Sequence, residues 1–267
     1  MPPSLCQPGL TSRTDPRAAY DASYFARFYP ASRFHGAGDK PVVNWALSRM
    51  LRRLCSRNGL GTRRPAIVHF GCGQGFLARA CRHWSSNVGC DIAPFAAGSA
   101  RANGVASVCA ALEAGCFRPG AFDAATAIDV LEHLIDPQAG LRTMCDALRP
   151  GGVALVTVPN LGSLSRRLKG SQWSGYRDRT HRSLVEPERW WEWFEAAGFE
   201  VLRVGTDALW DPPYFCRRLG RLGWLGRLER VAILVASNLA MLLGPQWPWS
   251  LGDNLVATLR KPGREVE

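Results

Sequence analysis

From residue 66 onward, short apolar runs alternate with stretches of helical periodicity. Ala66–Phe70 reads as a buried strand, and residues 75–84 follow it as a helix. The same alternation predicts strands at 87–92, 105–110, 122–128 and 153–158, with helices at 94–103 and 136–148. Arg149-Pro150-Gly151-Gly152 is a stop signal between the last of these helices and the strand after it. Pro187, suited to the first position of a helix, opens another one up to Ala197, and strands at 199–206 and 254–261 complete the series. Strands separated by helices predict an α/β domain with a mainly parallel sheet.

The flanks have a different texture. Residues 1–19 carry Pro, Ser, Thr and Gly and read as a loose tail. Residues 20–60 have apolar positions at helical spacing, including Tyr20, Tyr24, Phe25, Trp45, Leu47 and Leu51, and are expected to form an N-terminal helical lid over a core at 61–206. Residues 160–185 read as a polar, aromatic-rich loop, 207–250 as a helical insertion, and 251–267 as a final strand and tail.

A hydrophobic fraction of 46% allows a sizeable core, and a charged fraction of 21% argues against bulk disorder. The formal net charge is +11, and of the 33 basic residues only Lys40, Lys169 and Lys261 are lysines. Such an excess fits an anionic partner: nucleic acid, acidic lipid or a phosphorylated substrate. The nine cysteines are odd in number and include no CxxC pair, so a disulfide framework is not expected and a reduced cytoplasmic compartment fits. The first residues contain no continuous apolar run, so no signal peptide is expected. The longest apolar stretch, Val231 to Leu243, is too short for a bilayer, which takes about 20 residues. Just upstream of it, arginines alternate with Leu and Trp over 214–230. That pattern suits packing on the core, contact with a second copy of the chain, or peripheral contact with an anionic membrane through 214–250.

The informative motif is the passage from the first core strand into Gly71-Cys72-Gly73-Gln74-Gly75 and then a helix. Glycines let the backbone turn sharply and approach a ligand closely, and the helix start adds oriented N–H groups. Asp91 ends the next strand, twenty residues after Gly71, where an acid reaches a ribose hydroxyl pair. The dinucleotide fingerprint wants a glycine at position 76, but that residue is Phe76, which favours a nucleoside cofactor without a pyrophosphate.

These residues, with VGCDI, FDAATAIDVLEHL, LRPGG and EAAGFEVLRVGT, resemble the class I S-adenosylmethionine-dependent methyltransferases over residues 66 to about 206. The resemblance implies a Rossmann-like seven-stranded sheet with the last strand antiparallel, and S-adenosylmethionine over the carboxyl ends of the first strands. By the same resemblance Gly71, Cys72, Gly73 and Gly75 wrap the methionine and ribose. Asp91 holds the ribose hydroxyls, Ile92 packs on the adenine, and Ile128 and Asp129 face the methionine. Two positions depart from the family pattern. His69 stands where an acid usually helps to hold the cofactor's amino group, and Cys109-Ala110-Ala111 stands where an acid often meets the adenine.

Methyl transfer to oxygen or nitrogen needs two aligned reactants and often a base, and histidine suits that role near neutral pH. The candidates are His133, in VLEHL, and His181, in the loop after the fifth strand. Asp129, Glu132 and His133 also share a helical spacing, and with His181 they offer a mixed oxygen and nitrogen set for a divalent ion. This resembles the metal site of small-RNA 2′-O-methyltransferases and of ubiquinone-pathway O-methyltransferases. The expected function is O-methylation of a small, lipid-type or saccharide-type acceptor. The alternatives are a metal-assisted RNA 2′-O-methyltransferase and a non-catalytic cofactor-binding protein.

Overall fold

The computed structural model describes residues 19–28, 41–61, 63–207, 228, 231–233, 235–236 and 251–263. Seven strands form one sheet in the order β3-β2-β1-β4-β5-β7-β6. They are β1 (Ala66–Phe70), β2 (Ser86–Asp91), β3 (Ala106–Cys109), β4 (Phe122–Ile128), β5 (Leu148–Pro159), β6 (Glu200–Thr206) and β7 (Asn254–Arg260). β1 to β5 pair in parallel, while β7 inserts antiparallel between β5 and β6, as the resemblance implied.

Alternation along each strand sends side chains to two helical layers. Val68, Phe70, Ala125, Ala127, Ala154 and Val156 pack with Leu141 and Met144 of α5 (Pro137–Ala147) and with Trp190 and Phe194 of α8 (Pro187–Ala196). On the opposite face Ile67, Ala124, Val153 and Leu155 pack with Leu47, Leu51 and Leu54 of α2 (Pro41–Arg57) and with Cys81 of α3 (Phe76–Cys81). α2 therefore belongs to the sandwich itself, although the sequence placed it in a lid. Its Leu47, Leu51 and Leu54 line a stripe that the sheet covers. Among the described residues of the expected lid, α1 (Ala22–Phe28) is the part that lies where a lid would, against Ala93 and Ala96 at the start of α4 (Pro94–Ala102).

Two further expectations are corrected. β5 begins at Leu148, so Arg149–Gly152 lies inside the strand, with Leu148 paired to Phe122 and a register shift before Ala124. The supposed loop after β5 contains α6 (Leu164–Lys169), a 3₁₀ turn at Gly170–Gln172 and α7 (Ser174–Arg177). Residues 1–18 of the expected tail and most of the insertion at 207–250, with its expected membrane contact, lie outside the described residues. No described helix is long and apolar enough to cross a membrane, and the described cysteines form no disulfide.

The sheet order turns back between β1 and β4, and chains leaving those two strands diverge. That switch point opens a crevice at the carboxyl ends, where ligands of open α/β sheets bind.

Candidate active site

The crevice holds a cavity of about 730 Å³. Gly71, Cys72, Gly73, Asp91, Ile92, Ile128, Asp129 and His133 all line it. Gly71 has φ 60°, and a Cβ there would sit 2.2 Å from Val130 Cγ2, so no other residue fits without moving the β4 loop. Cys72 N–H donates to the Cys90 carbonyl at 3.0 Å, which ties the turn to β2. Gly75 does not line the cavity. It packs against Ala100 and Val105 and serves the contact between α3 and α4.

Asp91 joins the two halves of the motif. Its Oδ2 accepts from Gly73 N–H at 2.8 Å and its Oδ1 from Ala93 N–H at 2.9 Å. The carboxylate is 8% exposed, and burial raises its pKa, against the two backbone hydrogen bonds. The glycine turn is thus held open by the acid expected to take the ribose.

His69 replaces the usual acid with a neutral ring. It points to the α2 face of β1, with Nδ1 2.9 Å from Thr126 Oγ1 and Nε2 3.0 Å from Asn87 Oδ1. Burial pushes its pKa down to about 4, so it carries no charge at neutral pH. This has a consequence for stability. The unfolded chain takes up this proton first, near the ordinary histidine value of 6.5, so stability present above pH 6.5 is lost as the pH falls toward 4. The full window amounts to about 3 kcal/mol. Urea unfolding of the wild type and of His69→Gln between pH 7 and 4 should show a shallower acid loss in the variant. Equal slopes would remove His69 from this account.

Asp129 is the one described non-glycine residue with a positive φ, at 54°. Thr157 holds it there: Asp129 N–H donates to the Thr157 carbonyl, and the Thr157 hydroxyl donates to Asp129 Oδ1 at 2.7 Å. The expected helical face of Asp129, Glu132 and His133 does not form, because the helical turn is only the 3₁₀ segment Leu131–His133.

The remaining three residues of the expected ligand set do meet. The Glu132 carbonyl accepts from the N–H groups of Arg182 and Ser183 at 2.8 and 2.9 Å, which staples the segment after α7 to this turn. His181 is placed by its Nδ1–H, which donates to the Gly175 carbonyl at 2.7 Å. Gly175 lies beneath the ring of the buried Trp173, where a Cβ would come within 2.2 Å of the indole. The two histidine rings stand 4.7 Å apart, centre to centre. His181 does not line the cavity; it stands behind His133.

Hydrogen bonding fixes both tautomers. The Thr180 hydroxyl gives its single proton to Asp178 Oδ1 at 2.5 Å, so it accepts from His133 Nδ1–H at 3.0 Å. The Gly175 carbonyl can only accept from His181. Each ring therefore keeps a bare Nε2, and these lie 4.0 and 3.9 Å from Glu132 Oε1. Glu132 is fully buried, and neither carboxylate oxygen has a hydrogen-bond partner. Burial raises its pKa well above the ordinary value, and Asp129 adds to that rise. Burial and His181 push His133 down to about 4. The ligand atoms of Glu132, His133 and His181 all lie within 4.8 Å of one another. Two imidazole lone pairs and an orphaned buried carboxylate suit a divalent cation.

Sequence reasoning missed Asp178 and Thr180. Thr180 N–H donates to Asp178 Oδ1 at 2.9 Å, an Asx turn that the Asp-x-Thr spacing signals. It placed Tyr20 and Tyr24 in the helical lid but did not foresee that they line the cavity, at i, i+4 spacing.

Residues 46–204 match the family model described as a methyltransferase domain. A ubiquinone biosynthesis O-methyltransferase of Methylobacterium nodulans is 28% identical over 182 residues, covering 60% of this chain and 71% of that protein. One from Xanthomonas campestris is 31% identical over 102 residues, 35% of this chain. The chain spans only 43% of the length of that relative. Among solved structures, an S-adenosylmethionine-dependent methyltransferase from Archaeoglobus fulgidus aligns with a TM-score of 0.56 at 16% identity, over 90% of this chain and all of that one. The [4+2]-cyclase SpnF aligns with a TM-score of 0.53 at 26% identity, over 81% of this chain and 82% of that one. With the glycine turn and Asp91 in direct contact at the switch point of the sheet, the chain belongs to the class I S-adenosylmethionine-dependent methyltransferases.

Proposed function

We propose that this protein transfers the methyl group of S-adenosylmethionine to a hydroxyl oxygen of a small, largely apolar acceptor, assisted by a divalent cation at Glu132, His133 and His181. The buried, unpartnered carboxylate of Glu132 beside two bare histidine nitrogens carries this reading. A cation held there would lower the pKa of an acceptor hydroxyl and so supply a nucleophile near neutral pH.

The other residues hold and align. Asp91 and the Gly71–Gly73 backbone seat the adenosyl part, while Ile92 packs on the base. Asp129 and Ile128 face the methionine side, where methyl transfer requires in-line approach. Leu134 and Ile135 line the same cavity and give it an apolar wall, and the Tyr20 ring stands edge-on to His133 at 5.8 Å. The ubiquinone biosynthesis relatives support an oxygen acceptor on an apolar body. The RNA alternative rests on the net charge of +11 and on the same cluster of Glu132, His133 and His181, which serves either acceptor.

The test is methyl transfer from labelled S-adenosylmethionine to a panel of phenols and quinols, with and without EDTA. Turnover that EDTA abolishes and Mg²⁺, Mn²⁺ or Zn²⁺ restores is the expected result. EDTA-resistant turnover removes the cation from the mechanism. Methylation of RNA in preference to every phenol removes the small acceptor.

A further inference from the structure

Asp178 belongs neither to the cofactor turn nor to the ligand set of Glu132, His133 and His181, yet it reaches both neighbourhoods, with Oδ2 4.0 Å from His181 Nε2. It is 8% exposed and uses its two oxygens in different directions. Oδ1 accepts from the Thr180 hydroxyl and from Thr180 N–H. Oδ2 accepts from the hydroxyl of Tyr24, in α1, at 3.1 Å.

The other side of α1 faces the cofactor turn. Phe25 is 9% exposed, packs with Ala93 and Ala96, and meets the Phe95 ring at 5.4 Å. Its ring edge is the nearest group, at 3.9 Å, to the place where a side chain on Gly73 would begin. A single helix thus covers the adenosyl seat with one residue and bonds Asp178 with the residue before it.

From Asp178 the connection runs on through Thr180. The Thr180 hydroxyl has one proton and gives it to Asp178, which makes it an acceptor for His133 Nδ1–H. Without that arrangement the hydroxyl can donate to His133 instead, and the ring is then free to carry its proton on Nε2, the atom facing Glu132. An outer partner that fixes the tautomer and orientation of a ligand histidine typically changes metal affinity by about 10–100-fold.

We propose that Asp178 is a positioning residue that couples the seating of α1 over the cofactor to the orientation of His133 for a divalent cation. The inference rests on the cation reading above. Its thermodynamic signature is reciprocal: cofactor and cation each bind more tightly when the other is present.

The experiment measures Mn²⁺ affinity of the full chain by electron paramagnetic resonance, with and without saturating S-adenosylhomocysteine. In the wild type the cofactor product should raise Mn²⁺ affinity about 5-fold or more. Tyr24→Phe, which removes one hydroxyl, should reduce that enhancement to less than about twofold. Thr180→Val, which keeps the shape and loses the hydroxyl, should weaken Mn²⁺ binding itself by about 10-fold or more, and Thr180→Ser should restore it. A general loss of packing would not separate Val from Ser in this order. Mn²⁺ binding with no enhancement in the wild type, or enhancement that survives both Tyr24→Phe and Thr180→Val, overturns the coupling while leaving the cation site standing. Failure of the wild type to bind Mn²⁺, Mg²⁺ or Zn²⁺ at all overturns the cation site and the coupling with it.

Discussion

Glu132→Gln should abolish cation binding and lower turnover by about 100-fold or more, while making the metal-free protein more stable. Both effects have the same cause. The Glu132 side chain is fully buried, and its two oxygens receive no hydrogen bond. A buried charge without a partner costs several kcal/mol, and even a neutral carboxyl left unsatisfied costs about 1–3 kcal/mol. Glutamine has the same shape, carries no charge and offers an amide N–H₂ to the Nε2 atoms of His133 and His181. These now face the carboxylate at 4.0 and 3.9 Å, so a small shift makes the contact. Thermal unfolding in EDTA should show the variant more stable by about 1–3 kcal/mol. Calorimetric titration with Mn²⁺ should show no binding. A variant that melts lower yet still binds the cation would assign Glu132 a purely architectural role.

The second large effect is expected at Asp91. Asp91→Ala should weaken S-adenosylhomocysteine binding by about 100- to 1,000-fold, or about 3–4 kcal/mol. Charge-assisted bonds to two ribose hydroxyls are worth about 1.5–3 kcal/mol each, before any effect on the turn. The turn also suffers, because the N–H groups of Gly73 and Ala93 lose the oxygens that hold them at 2.8 and 2.9 Å. Asp91→Asn separates the two contributions. Its single carbonyl oxygen can keep only one backbone bond, so it should fall between wild type and alanine. Isothermal titration of the three proteins with S-adenosylhomocysteine gives the ranking. Affinity within about threefold of wild type in the alanine variant would place the ribose elsewhere.

The layered fold was legible because each element stated its own period. Ala66–Phe70 and Phe122–Ile128 are short and apolar with polar breaks, and Leu141, Met144 and Cys145 mark the buried stripe of α5. The contact between Gly73 and Asp91 was legible as spacing, since adjacent parallel strands bring the ends of successive βα units together. What the pattern hid was short or set by distant partners. α6 and α7 span six and four residues, too few for periodicity to declare a helix. α2 read as lid material, but only the sheet it packs on decides that it belongs to the core. Asp129 sits at the right sequence distance from Glu132 to share a ligand set, yet Thr157 draws its carboxylate away. The neutral state of His69 comes from its burial, which outweighs the hydrogen bond to Asn87 that favours the charged ring, and the strands that bury it lie far away in sequence.

The staple between the Glu132 carbonyl and the N–H groups of Arg182 and Ser183 is made entirely of main chain. Any residue except proline can supply such a bond, so His181 keeps its place whatever side chain stands beside it. Arg179 and Arg182, exposed at the rim of the cavity, are therefore free to drift in kind and size without disturbing the reactive core. Lineages built on this scaffold can retune which molecule enters by changing the doorway alone.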